Sequence, residues 1–332
     1  MTEELLLVTG AGGFIGSNIA CTLAADGARV VACDLFHHPA SWQYLTSALL
    51  HDVITPDQTL TWLRDHSEAI AAIIHLGASS STTEANLSKI IANNVRLTLD
   101  LWEFSALNGN AFIYASSAAT YGDGSQGFVD DDSPASLAML QPLNAYGWSK
   151  HVVDRRIAED VAAGRRAPPR WAGLKFFNVY SPNEGHKAEM RSVVHQMYPS
   201  AARGLPVRLF KSEDRRYPDG GQLRDFVYVK DCCEVVTAML AKAKIAGLFN
   251  VGTGRARSFA DVARAVFRAV GREPEIDFID MPETLRERYQ YFTEADTRKL
   301  HAHGLAPSFR SLENGVADYV NTHLVHELAN RW

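Results

Sequence analysis

Three side chains suited to proton transfer stand in two short segments of the chain. The segment "NAYGWSK" (144–150) supplies Tyr146 and Lys150, and "YASSAATYG" (114–122) supplies Ser117. A spacing of four places Tyr146 and Lys150 on one face of a helix. A phenol normally titrates near pH ~10, and a neighbouring ammonium stabilises its phenolate. We therefore expect Tyr146 to act as a general acid or base, with Ser117 holding the substrate oxygen beside it.

A glycine-rich segment near the start of the chain predicts a nucleotide site. "VTGAGGFIGSNIA" (8–20) carries Gly10, Gly13 and Gly16 between an apolar strand pattern and a helical pattern. In that context the glycines allow a tight turn, and the helix N-terminus offers N–H groups to a pyrophosphate. Asp34 follows Gly16 by 18 residues, where a carboxylate accepts hydrogen bonds from an adenosine ribose. We expect a nicotinamide dinucleotide here; the alternative is a tight turn that binds no ligand.

The loop after Asp34 bears on the choice between NAD and NADP. It reads "LFHHPASW" (35–42), with two histidines and no lysine or arginine to pair with a 2′-phosphate. The Asp34 carboxylate would also repel that phosphate, so the local chemistry favours NAD, while NADP stays open. Asp52 of "LLHDV" is either an adenine contact or a solvated loop acid.

The elements that position these residues alternate between short apolar runs and helical patterns. Near-continuous apolar runs suit a parallel sheet covered on both faces, and strand–helix alternation predicts a doubly wound (Rossmann) α/β sheet. Strands are predicted at 5–10, 29–34, 71–78, 111–117, 171–180 and 247–252. Helices are predicted at 15–26, 57–68, 86–108, 145–163, 186–203, 230–243 and 258–270.

The pattern loosens after residue 180, which predicts a second unit that shapes a substrate pocket. We expect a dinucleotide-binding domain at 1–177, rejoined by about 226–254. A smaller C-terminal α/β substrate-binding domain would then comprise 178–225 and 255–332.

Composition excludes several functional classes for the 332-residue chain. Lysine and arginine number 33 against 38 acidic residues, a net charge of −5, so neither nucleic acid nor an anionic membrane is an expected partner. No apolar run reaches the ~18 residues of a membrane span, and no signal-peptide pattern opens the chain, which predicts a cytoplasmic protein. The four cysteines form no C-x-x-C pair and no histidines lie at zinc spacing, so no metal is expected.

The order of the glycine-rich turn, the serine strand and the Tyr/Lys pair resembles the extended short-chain dehydrogenase/reductase superfamily. Dehydratases of that superfamily carry an Asp-Glu pair where this chain has Ala118 and Ala119, which argues against dehydration. From about residue 5 to 320 the chain resembles the ADP-heptose 6-epimerase family in particular. The resemblance is carried by "SSTTE" (80–84), "SSAATYG" (116–122), "EGHK" (184–187) and "RYQ" (288–290), followed by "YFT".

The resemblance implies an NAD(P)-dependent isomerase that inverts C6 of ADP-D-glycero-D-manno-heptose. The reaction would run through a 6-keto intermediate and serve lipopolysaccharide inner-core precursor synthesis. Inversion needs a proton donor-acceptor on each side of the carbon, and the resemblance implies Tyr146 on one side and Lys187 on the other. An amine normally near pKa ~10.4 must be lowered by burial or nearby positive charge to act as a base. The alternative for Lys187 is a surface phosphate-binding or salt-bridging lysine, and His186 is expected to be structural.

The resemblance also implies the contacts of both ligands. The cofactor would contact Gly10, Gly13, Phe14, Ile15, Gly16, Asp34, Leu35, Asp52, Leu76, Gly77, Ala78, Ser79, Ser80, Asn93, Lys150, Val179 and Lys187. The substrate would contact Ser117, Asn178, Glu189, Phe210, Arg224 and Tyr289. Alternative interpretations are Phe210 as a core residue, Tyr289 as a surface aromatic, and Arg224 in a salt bridge to Asp225.

Three departures from the family pattern and two rival functions stay open. The loop after Asp34 lacks the lysine of members that prefer NADP, Glu189 stands where a small hydroxyl residue binds substrate, and "RRYPDGGQ" (215–222) is an insertion. A 4-epimerase would need no equivalent of Lys187, and a cofactor-binding sensor would need no turnover. The family further implies one tightly bound cofactor per subunit and a homo-oligomer, often a homopentamer.

Overall fold

The computed structural model describes residues 4–39, 41–81, 86–286 and 289–329. Its strands are β1 (Leu5–Thr9), β2 (Arg29–Cys33), β3 (Asp52–Ile54), β4 (Ile70–His75), β5 (Ala111–Ser117), β6 (Trp171–Phe176), β7 (Asn178–Tyr180), β8 (Val207–Phe210), β9 (Leu223–Tyr228), β10 (Leu248–Val251), β11 (Ala256–Ser258) and β12 (Ile276–Ile279).

The α-helices follow the strands in the alternation that the sequence predicts. They are α1 (Phe14–Ala25), α2 (Thr59–Asp65), α3 (Leu87–Ile90), α4 (Leu97–Asn108), α5 (Pro134–Ala138), α6 (Ala145–Ala162), α7 (Val193–Arg203), α8 (Val229–Leu240), α9 (Phe259–Ala269), α10 (Glu283–Arg286), α11 (Arg298–Ala302), α12 (Leu312–Tyr319) and α13 (Val325–Ala329). Within the described ranges, no helix is both long and apolar enough to cross a membrane.

A seven-stranded parallel sheet forms the centre of the molecule, in the order β10-β6-β5-β4-β1-β2-β3. Except for the edge strand β3, the strands are apolar and buried because helices cover both faces, which produces two separate hydrophobic clusters on the sheet. The predicted doubly wound α/β class is therefore confirmed. Because the strands are parallel, their carboxyl ends meet at one edge, where ligands bind in such sheets.

Two smaller sheets and a third hydrophobic cluster lie in the later part of the chain. One sheet has the order β11-β9-β7 and the other pairs β12 with β8. The third cluster joins these sheets to α7, α9 and α12. A 3₁₀ segment, Gly185–Met190, precedes α7.

Two predicted elements were wrong in their extent. The predicted strand 171–180 is two strands, because the chain leaves the central sheet after Phe176 and β7 pairs with β9 instead. The predicted helix 186–203 begins only at Val193, because Ala188 has a φ of 47°, which an α-helix does not tolerate. The predicted helix 86–108 is a continuous run with a π-helical stretch, Ile91–Arg96, between α3 and α4.

Candidate active site

The glycine-rich turn joins β1 to α1 in a geometry that side chains would block. Gly10 has a φ of 70°, and a Cβ there would lie 2.6 Å from the Gly77 nitrogen. A Cβ on Gly16 would lie 2.0 Å from the Gly10 oxygen, so only glycine allows the helix to approach the turn. Gly13 is the N-cap of α1, and no described side chain caps the first turn. The helix therefore presents N–H groups that suit a pyrophosphate.

The residues that follow the turn connect it to the core. Phe14 is buried at the start of α1, and Ile15 packs against the cluster on one face of the sheet. Leu76 and Val179, two further predicted cofactor contacts, pack partly buried against the same cluster. All four lie beside the carboxyl edge of the sheet, where their exposed parts can contact a ligand.

Asp34 directly follows β2, and its side chain contacts the glycine-rich turn. Its Oδ2 accepts a hydrogen bond from the Gly12 nitrogen at 2.8 Å, and its Oδ1 accepts one from the Leu35 nitrogen at 2.7 Å. Leu35 itself is half exposed. Asp52 lies on the exposed β3, where its Oδ2 accepts from the Trp62 indole at 3.0 Å.

The loop after β4 is held in place by hydrogen bonds to a buried asparagine, Asn94, which was not among the predicted site residues. Asn94 is fully buried; its Oδ1 accepts from the Ser79 nitrogen at 2.7 Å and its Nδ2 donates to Ser149 Oγ at 3.0 Å. The predicted contact Asn93 donates to Ser79 Oγ at 3.3 Å. Asn94 therefore connects the cofactor loop to α6. The pair "NN" was visible in the sequence, but only the π-helical geometry decides which asparagine faces inward.

The remaining positions of this loop line the same edge. Gly77 donates its N–H to Thr9 Oγ1 at 3.1 Å, which holds the loop against the end of β1. Ala78 is half-buried and Ser80 is exposed. Thr82, Thr83 and Glu84 of the "SSTTE" motif lie outside the described residues, as does Arg288 of "RYQ".

Ser117, Tyr146 and Lys150 meet where β5 ends beside α6. The Ser117 side chain faces the Tyr146 phenol and lowers its pKa. Asn144 caps α6 by accepting from the Gly147 nitrogen at 2.8 Å. A Cβ on Gly147 would lie 2.7 Å from the Ala119 oxygen, so this glycine lets α6 pack directly on the turn after Ser117.

Burial controls the protonation of this pair of groups. Burial raises the pKa of Tyr146, while the Ser117 side chain lowers it. Burial also lowers the pKa of Lys150 to about 8, against the opposing charge of Asp154. The protein alone thus disfavours the phenolate that the sequence led us to expect, and Ser117 is the group that favours it.

A buried ion pair that was not predicted lies next to Tyr146 and Lys150. Lys175 and Asp154 are both fully buried, with Nζ and Oδ2 3.2 Å apart. Tyr114 and Ser116 donate to the Asp154 carboxylate at 2.9 and 2.7 Å. Since both charges are satisfied, the pair tolerates burial. A sequence gives no signal for it, because its partners come from β5, β6 and α6.

Lys187 lies against the glycine-rich turn. Its Nζ is 4.8 Å from the centre of the Phe14 ring, and burial lowers the pKa of the amine, with the charge of Glu184 opposing. The segment reaches this position because Asn183 donates to Ser17 Oγ at 3.0 Å. Among the described residues, no carboxylate forms a salt bridge with Lys187. His186 packs on His38 and Tyr44.

Arg224 and an aromatic wall form the opposite part of the site. Arg224 is 9% exposed as a residue. Its guanidinium lies 5.4 Å from the Tyr289 ring centre and donates to the Leu223 oxygen at 2.8 Å. The salt-bridge alternative is wrong, because the Asp225 carboxylate accepts instead from the main-chain nitrogens of Thr253, Gly254 and Ala295. A buried cation without a carboxylate partner in the described chain suits an anionic ligand.

The insertion extends this wall. Phe210 is half-buried and meets the Tyr289 ring edge-to-face at 6.5 Å between centres. Tyr217, from the insertion, stacks on Tyr291 at 5.4 Å, and Tyr291 meets Tyr289 at 5.3 Å. The insertion is therefore continuous with the predicted substrate residues.

The two other predicted substrate residues are exposed. Asn178 is the first residue of β7, at the carboxyl edge of the central sheet. Glu189 lies in the Lys187 segment and borders a shallow groove with Arg191 and His195. The contacts of both residues with a substrate stay predictions.

Comparisons with known proteins agree with this arrangement. The model of the NAD dependent epimerase/dehydratase family matches residues 6–252. The ADP-L-glycero-D-manno-heptose-6-epimerase of Nitratidesulfovibrio vulgaris (strain Hildenborough) is 44% identical over 323 residues, covering 96% of this chain and 98% of the relative.

Solved structures give the same result. The Helicobacter pylori ADP-L-glycero-D-manno-heptose-6-epimerase superimposes with a TM-score of 0.77 at 28% identity, covering 97% of this chain and 96% of that one. The Thermus thermophilus UDP-glucose 4-epimerase, solved with NAD, superimposes with a TM-score of 0.72 at 25% identity over 96% and 98% of the two chains. The chain thus belongs to the NAD-dependent epimerase/dehydratase family and, within it, to the ADP-L-glycero-D-manno-heptose-6-epimerases.

Proposed function

We propose that this protein inverts C6 of ADP-D-glycero-D-manno-heptose and so forms ADP-L-glycero-D-manno-heptose. The main support beyond family membership is Lys187, a half-buried amine beside Phe14 in addition to the Tyr146–Lys150 pair. A simple dehydrogenase site of this type needs only the tyrosine and its lysine. A second proton-transfer group suits a reaction in which the C6 hydroxyls of the two epimers lie on opposite sides of the site. The product would supply lipopolysaccharide inner-core synthesis.

The residues present fit a nicotinamide dinucleotide. The uncapped start of α1 and the Gly10–Gly16 contact suit the pyrophosphate, and Asp34 suits the adenosine ribose. When bound in its oxidised form, the nicotinamide would supply a reversible hydride acceptor for C6. Lys150 would hold the nicotinamide ribose, and the loop of Gly77 and Ser79 would contact the dinucleotide from the side of β4.

The chain's own groups would move the two protons. On one face Tyr146, oriented by Ser117, takes or gives the proton of the C6 hydroxyl. On the other face Lys187 does the same for the other epimer, so the roles exchange when the reaction reverses. The ketone turns between these groups, and the net reaction consumes no oxidant.

We also propose that Arg224 and the aromatic wall hold the ADP part of the substrate. The guanidinium can donate parallel hydrogen bonds to a diphosphate, and the rings of Phe210 and Tyr289 offer surfaces for the base. Anchoring the nucleotide leaves the heptose free to turn, as inversion requires.

We further propose NAD as the preferred cofactor. The Asp34 carboxylate occupies the ribose side of the turn, and the following loop offers His37 and His38 rather than lysine or arginine. Fluorescence titration should give tighter binding of NAD than of NADP, and the Asp34→Asn variant should narrow the difference. Equal affinities in the wild type would contradict the proposal.

Two organisational proposals accompany the function. The dinucleotide-binding unit would span 1–177 and about 226–254, and the substrate-binding unit 178–225 and 255–332. The return of β10 to the central sheet and the separate cluster around α7, α9 and α12 support this division. One cofactor per subunit and a homo-oligomer remain predictions.

The function is tested by incubation with ADP-D-glycero-D-manno-heptose, with the configuration at C6 followed by NMR. The wild type should epimerise the substrate without net release of reduced cofactor, and Tyr146→Phe and Lys187→Met should each lose most of the activity. Full activity in Lys187→Met would contradict the role of Lys187, whereas a wild type that leaves this substrate unchanged would favour a different nucleotide-sugar epimerase.

A further inference from the structure

The segment that carries Lys187 has a strained backbone. Asn183 and Ala188 have φ angles of 71° and 47°, in the left-handed region that residues other than glycine rarely adopt. Such conformations persist only where the surroundings hold them. They flank Lys187 on both sides, so whatever holds this segment also determines where the amine lies.

Glu184 is one of the residues that hold it, together with Asn183, which donates to Ser17. Its side chain is fully buried, and its carboxylate accepts hydrogen bonds from Ser192 Oγ at 2.6 Å, from the Ser192 nitrogen, and from the Tyr319 hydroxyl at 3.0 Å. Its main-chain oxygen accepts from the Lys187 nitrogen at 3.0 Å. Glu184 therefore connects the segment to the start of α7 and to α12, and it contacts the backbone of Lys187 itself.

The partners of this carboxylate favour its ionised form. The Ser192 nitrogen can only donate, and the two hydroxyls both point donors at the carboxylate. Burial raises the pKa of Glu184, whereas the Ser192 hydrogen bonds, the charge of His195 and the Tyr319 hydrogen bond lower it. In turn the Glu184 charge raises the pKa of Lys187, which burial lowers.

Other titratable groups lie near Glu184 and Lys187 on the surrounding elements. His195 on α7 lies 3.4 Å from the Glu327 carboxylate on α13. His186 is next to Lys187, and its pKa is lowered by burial and by the charges of His38 and Lys187. The charges of Glu184 and Glu327 both raise the pKa of Tyr44. Of these groups, it is Glu184 whose charge raises the pKa of Lys187.

We propose that Glu184 is a positioning residue for Lys187: its buried carboxylate fixes the strained segment so that the amine lies against Phe14. The charge of Glu184 also favours the ammonium form of that amine. The inference rests on the proposed function, in which Lys187 is the second proton-transfer group. It does not make Glu184 a catalytic residue, because the carboxylate acts through Lys187 and the segment.

The direct test is the titration of the Lys187 amine in Glu184→Gln. Lysines are dimethylated with ¹³C-formaldehyde, the Lys187 signal is identified by its loss in Lys187→Arg, and its NMR shift is followed against pH. Removing the negative charge should move the amine titration to lower pH, because that charge raises the pKa of Lys187. An unchanged titration would overturn the proposal.

The pH profile of turnover provides a second readout. In Glu184→Gln the limb that belongs to Lys187 should move to lower pH and kcat should fall roughly tenfold, with a smaller change in KM. The midpoint of this limb should move to lower pH whether Lys187 works as an acid or as a base, because the ammonium and the free amine share one pKa. A loss of kcat with no movement of either limb would overturn the electrostatic part.

A matched control separates this effect from simple destabilisation. Asp231 is also a fully buried carboxylate, paired with Arg310 on another part of the fold. Asp231→Asn should lower the unfolding temperature and leave the Lys187 titration in place. An equal shift in Asp231→Asn would show that any buried carboxylate produces it, and would overturn the proposal.

Tyr319→Phe is a milder variant that still tests the proposal if Glu184→Gln does not fold. Tyr319→Phe removes one donor to Glu184 and keeps the aromatic ring in the core. Amide hydrogen exchange across 183–191 should become faster in this variant, and unchanged exchange would contradict the holding role. If the wild type fails to epimerise ADP-heptose, the proposed function fails, whereas the amine titration and amide exchange still decide the role of Glu184.

Discussion

Replacing Lys150 with methionine is expected to stabilise the fold while removing a group that we propose holds the cofactor. The ammonium is 3% exposed, and burial lowers its pKa from 10.5 to about 8, even with the charge of Asp154 acting in its favour. At ~1.36 kcal/mol per pKa unit, keeping the charge buried near neutral pH costs about 3 kcal/mol. Methionine has a similar unbranched shape and carries no charge, so Lys150→Met should recover a large part of this free energy.

The pH dependence of this effect follows from the direction of the shift. Because the pKa of Lys150 is lower in the folded protein, the unfolded chain holds the extra proton between about pH 8 and 10.5. The free energy of unfolding of the wild type should therefore rise with pH across that window. The variant has no such rise, so its advantage should shrink towards zero as the pH approaches 10.5.

Urea denaturation of both proteins at several pH values between 7 and 10.5 measures the difference. Lys244→Met is the control, because it makes the same chemical change at an exposed lysine and should alter stability little. A Lys150→Met variant that is less stable than the wild type at pH 7 would refute the reasoning. So would a stability gain that does not depend on pH.

Three further predictions follow from the same geometry. Burial and the charge of Lys150 lower the pKa of His75 to about 3, so the folded protein should lose stability as the pH falls from about 6.5 towards 3, and urea denaturation should show a smaller acid loss in His75→Gln. A Cβ at Gly16 would collide with the Gly10 oxygen, so Gly16→Ala should weaken NAD binding at least ~10-fold in a fluorescence titration. Arg224→Met should raise KM for the nucleotide sugar roughly 10–100-fold by removing a charged hydrogen-bond donor, with a smaller effect on kcat, and an unchanged KM would contradict its role.

Local features of the site could be predicted from the sequence because their determinants are close together in the chain. The turn at Gly10–Gly16 follows directly from glycine spacing between a strand and a helix. The Tyr146–Lys150 face follows from helical periodicity, and Asp34 follows from the position of a strand end. In each case, the residues that determine the local structure lie within the same short segment as the predicted site residues.

Other features depend on distant partners and could not be read from a window. The break after Phe176 leaves a continuous apolar run, and only the pairing of β7 with β9 reveals the change of sheet. The segment before Val193 has a helical pattern, but hydrogen bonds to Ser17 and Tyr319 hold it in a different conformation. Its sequence therefore suggests a helix that the tertiary contacts do not allow.

We propose that hydride leaves C6 and returns to the same carbon while Tyr146 and Lys187 move only protons bound to oxygen. Epimerisation of unlabelled ADP-D-glycero-D-manno-heptose in D₂O, with the product examined by mass spectrometry and proton NMR, tests this most directly. The account predicts an inverted product that keeps protium at C6. Deuterium at C6 would show exchange with solvent, and it would contradict the account.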